Sequence, residues 1–119
     1  MSIFFDGHND SFVKCYPPRH LRTSPLNRHA FVKGCPQAHI DLPRALQVGY
    51  LGALCAIFID PPLGEESTCL QAHNREVAPG RQPDLEPPLD HQVALTATLE
   101  VMSHIFQDER ITDGFKVVR

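Results

Sequence analysis

The segment at residues 4–10, FFDGHND, brings an imidazole and a carboxylate together directly after an apolar run. His8 and Asp10 are two residues apart, and on an extended strand two such side chains point the same way. Imidazole nitrogen and carboxylate oxygen both suit zinc, so the pair could form half of a metal site. The alternative is ordinary turn chemistry, in which Asp6 and Asp10 are turn residues and His8 is a satisfied polar group.

The elements that would position this pair alternate between strands and helices. Residues 3–7 are typical of a short buried strand, and the continuous apolar run at 53–59, ALCAIFI, is typical of a strand buried on both faces. A third strand is predicted at 115–119, FKVVR. The order strand, helix, strand, helix, strand predicts parallel α/β architecture, with these three strands as parallel neighbours in one sheet.

Two helices are predicted between these strands. Asp41 is a candidate N-cap of the first, Pro43 lies in its first turn, and Gly49 ends it. The second helix is expected near 90–107, capped by Asp90 and packed on the sheet. Its predicted core stripe has helical spacing and consists of Leu95, Leu99, Met102 and Phe106.

The connecting segments carry weaker patterns. Residues 9–16 could form a helix, which the two prolines at 17–18 would end. Residues 17–38 mix basic residues with four prolines and are interpreted as a solvated loop. Residues 63–89 form a long connection, with a weak helical pattern at 65–77. The histidines His20, His29 and His73 are expected to be solvated in these loops.

Composition excludes several classes of partner. The chain has 119 residues and a formal net charge of −3, which gives no electrostatic reason to expect nucleic acid or an anionic membrane. No apolar run of membrane-spanning length occurs, and no secretory leader is recognised at the N-terminus. The four cysteines contain no C-x-x-C pair. We therefore expect reduced thiols and a cytoplasmic location.

Three landmarks together resemble the renal (membrane) dipeptidase family. They are DGHND at residues 6–10, HIDLPRALQVGYLGALCAIFI at 39–59, and TLEVMSHI at 98–105, in the order and approximate spacing of that family. The resemblance implies a metal-dependent hydrolase on a TIM-type (β/α)8 barrel that cleaves dipeptides with two zinc ions. His8 and Asp10 match the two first-strand ligands of one zinc, and Gly7 would let the backbone pass close to the site.

The same resemblance implies that residues 1–119 are a single, incomplete domain. A closed barrel needs about 250 residues, so this chain would supply only its N-terminal portion. The family's bridging glutamate, two later histidines and acid/base aspartate have no matching position here, so the catalytic residues stay unknown. Unpaired strand edges and exposed apolar faces predict aggregation, homo-oligomerisation or dependence on further chain.

Two functions from other classes remain open. Cys15-x₄-His20 and Cys35-x₃-His39 have intervals like those of a small structural-zinc or interaction module, although zinc fingers normally pair two cysteines before two histidines. The chain could also be a non-catalytic remnant that only associates with other subunits. Otherwise His39 is expected to serve local hydrogen bonding, and His91 and His104 to belong to the long helix.

Overall fold

The computed structural model of this chain describes residues 2–60 and 88–118. Within those residues the chain forms two strands, four α-helices and a 3₁₀ turn at Arg19–Leu21. In chain order the strands and α-helices are β1 (Phe4–Asn9), α1 (Ser11–Cys15), α2 (Ala30–Lys33), α3 (Leu42–Gln47), β2 (Tyr50–Cys55) and α4 (His91–Ile111). The predicted helical segment 65–77, together with Cys69 and His73, lies outside the described residues.

Strands β1 and β2 pair in parallel, which confirms the predicted orientation of the first two strands. The paired registers include Phe4 with Tyr50 and Asn9 with Cys55. The second strand begins three residues earlier than the predicted 53–59 and ends at Cys55. Gly49 explains the early start: it ends the helical segment with φ 73°, and its carbonyl accepts the Phe4 N–H at 3.1 Å.

In the described residues the strands are not buried on both faces, so this expectation was wrong. Phe5 is 57% exposed, and Leu51 and Leu54 are 69% and 65% exposed. A parallel strand becomes fully buried only when other elements cover both faces of its sheet. The described helices do not cover these side chains.

The third predicted strand is also wrong as far as it is described, because residues 115–118 are not a strand. Phe115 and Val117 instead pack against the core cluster, with the Phe115 ring 5.5 Å from that of Phe31. The Val117 N–H donates to the Glu109 carboxylate at 3.0 Å. The alternating apolar residues that suggest a strand here instead pack this irregular segment against the helical core.

Residues 17–38 are not the solvated loop that their composition indicates. They contain the 3₁₀ turn and α2, and Ala30, Phe31, Cys35 and Ala38 are buried. The Phe31 ring lies 4.6 Å from that of Phe12, centroid to centroid. These apolar side chains between the prolines pack the segment over α1, and burial of Phe31 alone contributes about 1.5–3 kcal/mol.

Helix α3 begins as predicted. The Asp41 side chain accepts the Arg44 N–H at 3.1 Å and the Cys35 N–H at 2.8 Å. The Arg44 guanidinium donates to the same carboxylate and lowers its pKa from 3.8 to about 2. Asp41 therefore caps α3 and also ties it to the segment before it.

Helix α4 has the predicted cap but a different buried face. The Asp90 side chain accepts the backbone N–H groups of Gln92 and Val93. Of the predicted stripe, Leu95 and Leu99 are exposed, and Met102 and Phe106 are half-buried. The buried residues are Ala97, Val101, Ile105 and Asp108.

Helix α4 also packs against a different part of the chain from the one expected. Val101 and Ile105 join a core cluster with Phe12, Tyr16 and Phe31 of the α1–α2 segment, so the helix packs there rather than on the sheet. Because α4 carries apolar residues on more than one side, spacing alone cannot select the side that faces the core.

Candidate metal site at the end of the first strand

Asp6 organises the carboxyl-terminal half of β1. Its carboxylate accepts the His8 N–H at 3.1 Å, the Asn9 side-chain amide at 3.0 Å and the Tyr50 hydroxyl at 3.1 Å. These donors, chiefly the Asn9 amide, lower the pKa of Asp6. Asp6 is therefore a strand residue rather than the turn residue of the alternative interpretation, and its bond with Tyr50 links β1 to β2.

Asn9 joins the strand to the following helix. It is 8% exposed, and its side-chain oxygen accepts the Ser11 N–H at 2.8 Å at the start of α1. Its backbone carbonyl accepts the Ala56 N–H at 2.9 Å. Asn9 was not among the predicted site residues, although an Asn two residues before a helix start is a known local capping signal.

His8 and Asp10 project from this fixed strand end toward each other. His8 Nε2 lies 3.2 Å from Asp10 Oδ2, and the two side chains are 71% and 47% exposed. Asp10 precedes α1 but makes no side-chain capping bond, so its carboxylate is directed to His8 instead. The convergence of the two side chains beyond β1, expected from their spacing, is present in the structure.

The separation of these two atoms fits a shared zinc ion. Two ligands about 2.0–2.1 Å from zinc at a tetrahedral angle are roughly 3.3–3.4 Å apart. The observed 3.2 Å between His8 Nε2 and Asp10 Oδ2 is close to that value. Both groups could ligate one ion if the His8 Nε2 lone pair turned from Asp10 toward it, because the present contact is a hydrogen bond between the two side chains.

The pair lies between two open clefts. One, of about 250 Å³, is also lined by Lys14, Gln37 and His39. The other, of about 330 Å³, is lined by Lys14, Phe58 and Asp60. His39, expected to make local hydrogen bonds, thus faces the same cleft as the candidate ligands. A small substrate could approach the pair from either side.

One other expectation about the site, the role of Gly7, is not supported. Close backbone approach at Gly7 is not required, because a Cβ placed there would meet no atom within 4 Å. Across residues 2–60 and 88–118, no three His, Cys, Asp or Glu side chains are grouped so that they could hold one metal ion. His8 and Asp10 therefore form a two-residue pair within the described part of the chain.

The cysteines and histidines of the Cys15-x₄-His20 and Cys35-x₃-His39 intervals do not form a metal site in the part of the chain that the structure describes. Cys15 and Cys35 are free thiols buried beside each other, and burial raises the pKa of the Cys15 thiol. His20 donates to the Asp60 carbonyl at 3.0 Å. His29, expected to be solvated, contacts the buried Asp108 at 2.8 Å.

No family model matches the chain, and no solved structure matches it. An uncharacterized protein in the PQQ-III 3' region of Acinetobacter calcoaceticus is 37% identical over 57 residues. That alignment covers 48% of this chain but only 17% of the relative. No helix in the described residues is long and apolar enough to cross a membrane.

Proposed function

We propose that this chain supplies His8 and Asp10 as first-strand ligands to the binuclear zinc site of a metal-dependent dipeptidase. The observation that carries the proposal is the 3.2 Å separation of His8 Nε2 and Asp10 Oδ2 at the carboxyl end of β1. Functional sites of parallel α/β folds lie at that end of the strands. The choice of dipeptides as substrates rests on the resemblance to the renal dipeptidase family.

The protein's own residues would hold the ligands in place. Asp6, Asn9 and Tyr50 anchor the strand end by hydrogen bonds, which limits the movement of the backbone that carries His8 and Asp10. When bound, zinc would lower the pKa of a water molecule and polarise the scissile carbonyl. The remaining ligands and the acid/base group would come from chain beyond residue 119.

The proposal includes a larger barrel of which these residues form the opening part. Its support is the parallel pairing of β1 with β2 and the exposure of Phe5, Leu51 and Leu54. Exposed apolar side chains on a two-stranded sheet favour contact with further chain or with another copy. Analytical ultracentrifugation tests this: we expect aggregates or oligomers of the isolated chain, and a cooperative monomer would contradict it.

The metal site is tested by titrating the chain with Co²⁺ and Zn²⁺. We expect weak binding, because a catalytic zinc site normally needs three protein ligands. Bound Co²⁺ should lack the charge-transfer absorbance of thiolate ligands. His8→Ala should abolish binding, whereas His91→Ala, which removes an exposed histidine on α4, should leave it unchanged.

Two results of this titration would overturn the proposed ligands. Equal binding by wild type and His8→Ala would exclude His8, and strong thiolate absorbance would favour the structural-zinc module. Dipeptide hydrolysis is tested separately in a protein that contains this segment with its further chain. Metal binding there without hydrolysis would favour the non-catalytic alternative.

A further inference from the structure

Asp108 is a buried carboxylate that joins three separate parts of the chain. It lies on α4, and its side chain is 1% exposed. Oδ2 accepts the Tyr16 hydroxyl, and Oδ1 lies 2.8 Å from His29 Nδ1. A buried carboxylate is costly unless donors satisfy it, so both contacts are needed to keep Asp108 in this position.

The hydrogen bonds around Asp108 determine where the protons are. The Tyr16 hydroxyl accepts the Phe31 N–H at 2.9 Å, so its own proton is directed to Asp108. Burial and the Asp108 contact raise the pKa of Tyr16, which keeps that proton on the phenol. Because a carboxylate only accepts hydrogen bonds, we assign the His29 proton to Nδ1. When the imidazole of His29 is neutral, its Nε2 atom then carries no proton and has a free lone pair.

His29 is held at the edge of the core rather than inside it. Its side chain is 26% exposed, and among the described residues no partner is found for Nε2. Its backbone has φ 61°, an uncommon conformation for a residue other than glycine. The Asp108 contact, the left-handed backbone and the start of α2 at Ala30 together restrict the orientation of the imidazole.

We propose that His29 is a nucleophilic imidazole that accepts acyl groups from activated acyl donors, with Asp108 and Tyr16 as its positioning residues. A buried carboxylate that fixes a histidine through Nδ1 is the arrangement that prepares Nε2 for proton or group transfer in known enzymes. This site shares no residue with the His8–Asp10 pair, and the inference does not depend on the proposed zinc function.

Diethyl pyrocarbonate is a probe of this donor class. His29 Nε2 attacks one carbonyl carbon, and a C–N bond forms. The bond from that carbon to the bridging oxygen breaks, and monoethyl carbonate leaves and decomposes to ethanol and carbon dioxide. The Nδ1 proton remains hydrogen-bonded to Asp108 while the ring is cationic and is then released to solvent.

The test measures acylation of each histidine by peptide mass spectrometry in the folded wild-type chain. We expect His29 to react several-fold faster than His39 and His91, although both of these are more exposed. If reactivity followed exposure alone, His29 would be slower than either. A His29 rate equal to or below that of His39 would overturn the proposal without any substitution.

Two variants test the positioning role. Asp108→Asn removes the carboxylate but preserves its size, so the His29 rate should fall to that of His39 or lower, while His39 and His91 are unchanged. Tyr16→Phe keeps the ring and should give a smaller loss. Circular dichroism establishes that each variant is folded. A folded Asp108→Asn chain with the wild-type His29 rate would exclude Asp108 as the positioning residue.

Discussion

Within residues 2–60 and 88–118, two histidine–aspartate side-chain pairs differ in exposure and in sequence separation. His8 and Asp10 are two residues apart and mostly exposed, whereas His29 and Asp108 are 79 residues apart and Asp108 is 1% exposed. The first pair is open to solvent and to ligands, while the second also supports the core. An exposed ion pair contributes about 0–1 kcal/mol to stability, but leaving a buried hydrogen-bond donor without its acceptor costs about 1–3 kcal/mol.

The largest expected effect is on stability at the buried pair. Asp108→Ala should reduce the free energy of unfolding by about 3 kcal/mol, because it leaves the Tyr16 hydroxyl and His29 without their acceptor. Asp10→Ala is the matched control and should change it by less than about 0.5 kcal/mol. Urea denaturation followed by circular dichroism measures both. Equal losses in the two variants would remove the distinction between the pairs.

A smaller effect on the free energy of unfolding is expected when a change of pH titrates His104, which lies beside this pair. His104 stacks on Tyr16 with ring centroids 5.1 Å apart, and burial lowers its pKa below 6.5. The unfolded chain therefore binds the proton more readily, so stability should fall as the pH drops below 6.5 toward the lowered pKa.

A substitution isolates the contribution of His104. His104→Phe keeps an aromatic ring against Tyr16 and should weaken this acid-side loss of stability, whereas His91→Phe should preserve it. Thermal unfolding of the three proteins at a series of pH values measures the difference. The same acid-side slope in wild type and His104→Phe would show that another group is responsible.

The smallest expected effect on stability is at the exposed pair. His8→Ala should change the free energy of unfolding by less than about 0.5 kcal/mol, because the imidazole is 71% exposed and supports no core contact. Chemical denaturation in the presence of a chelator measures this without any metal contribution. A loss above 1 kcal/mol, on the order of a lost buried hydrogen bond, would mean that the strand end depends on His8.

The sequence by itself determined the local features. Asp41 and Asp90 cap their helices, and His8 and Asp10 converge, because each feature depends on residues close in sequence. Asp10 lies just beyond β1, with φ −105° and ψ 15°, so the two-residue separation, rather than strand alternation, keeps these side chains close. Their role as metal ligands stays a prediction.

Only the tertiary structure decided which distant groups meet and which apolar faces are buried. Nothing in the sequence joins Asp108 to Tyr16 and His29, because a buried carboxylate finds its donors only after the segments fold together. Likewise, spacing places Leu99 and Val101 on different sides of α4, but the packing of α1 and α2 determines that Val101 is buried. Long-range packing selects among several faces that local periodicity leaves equally acceptable.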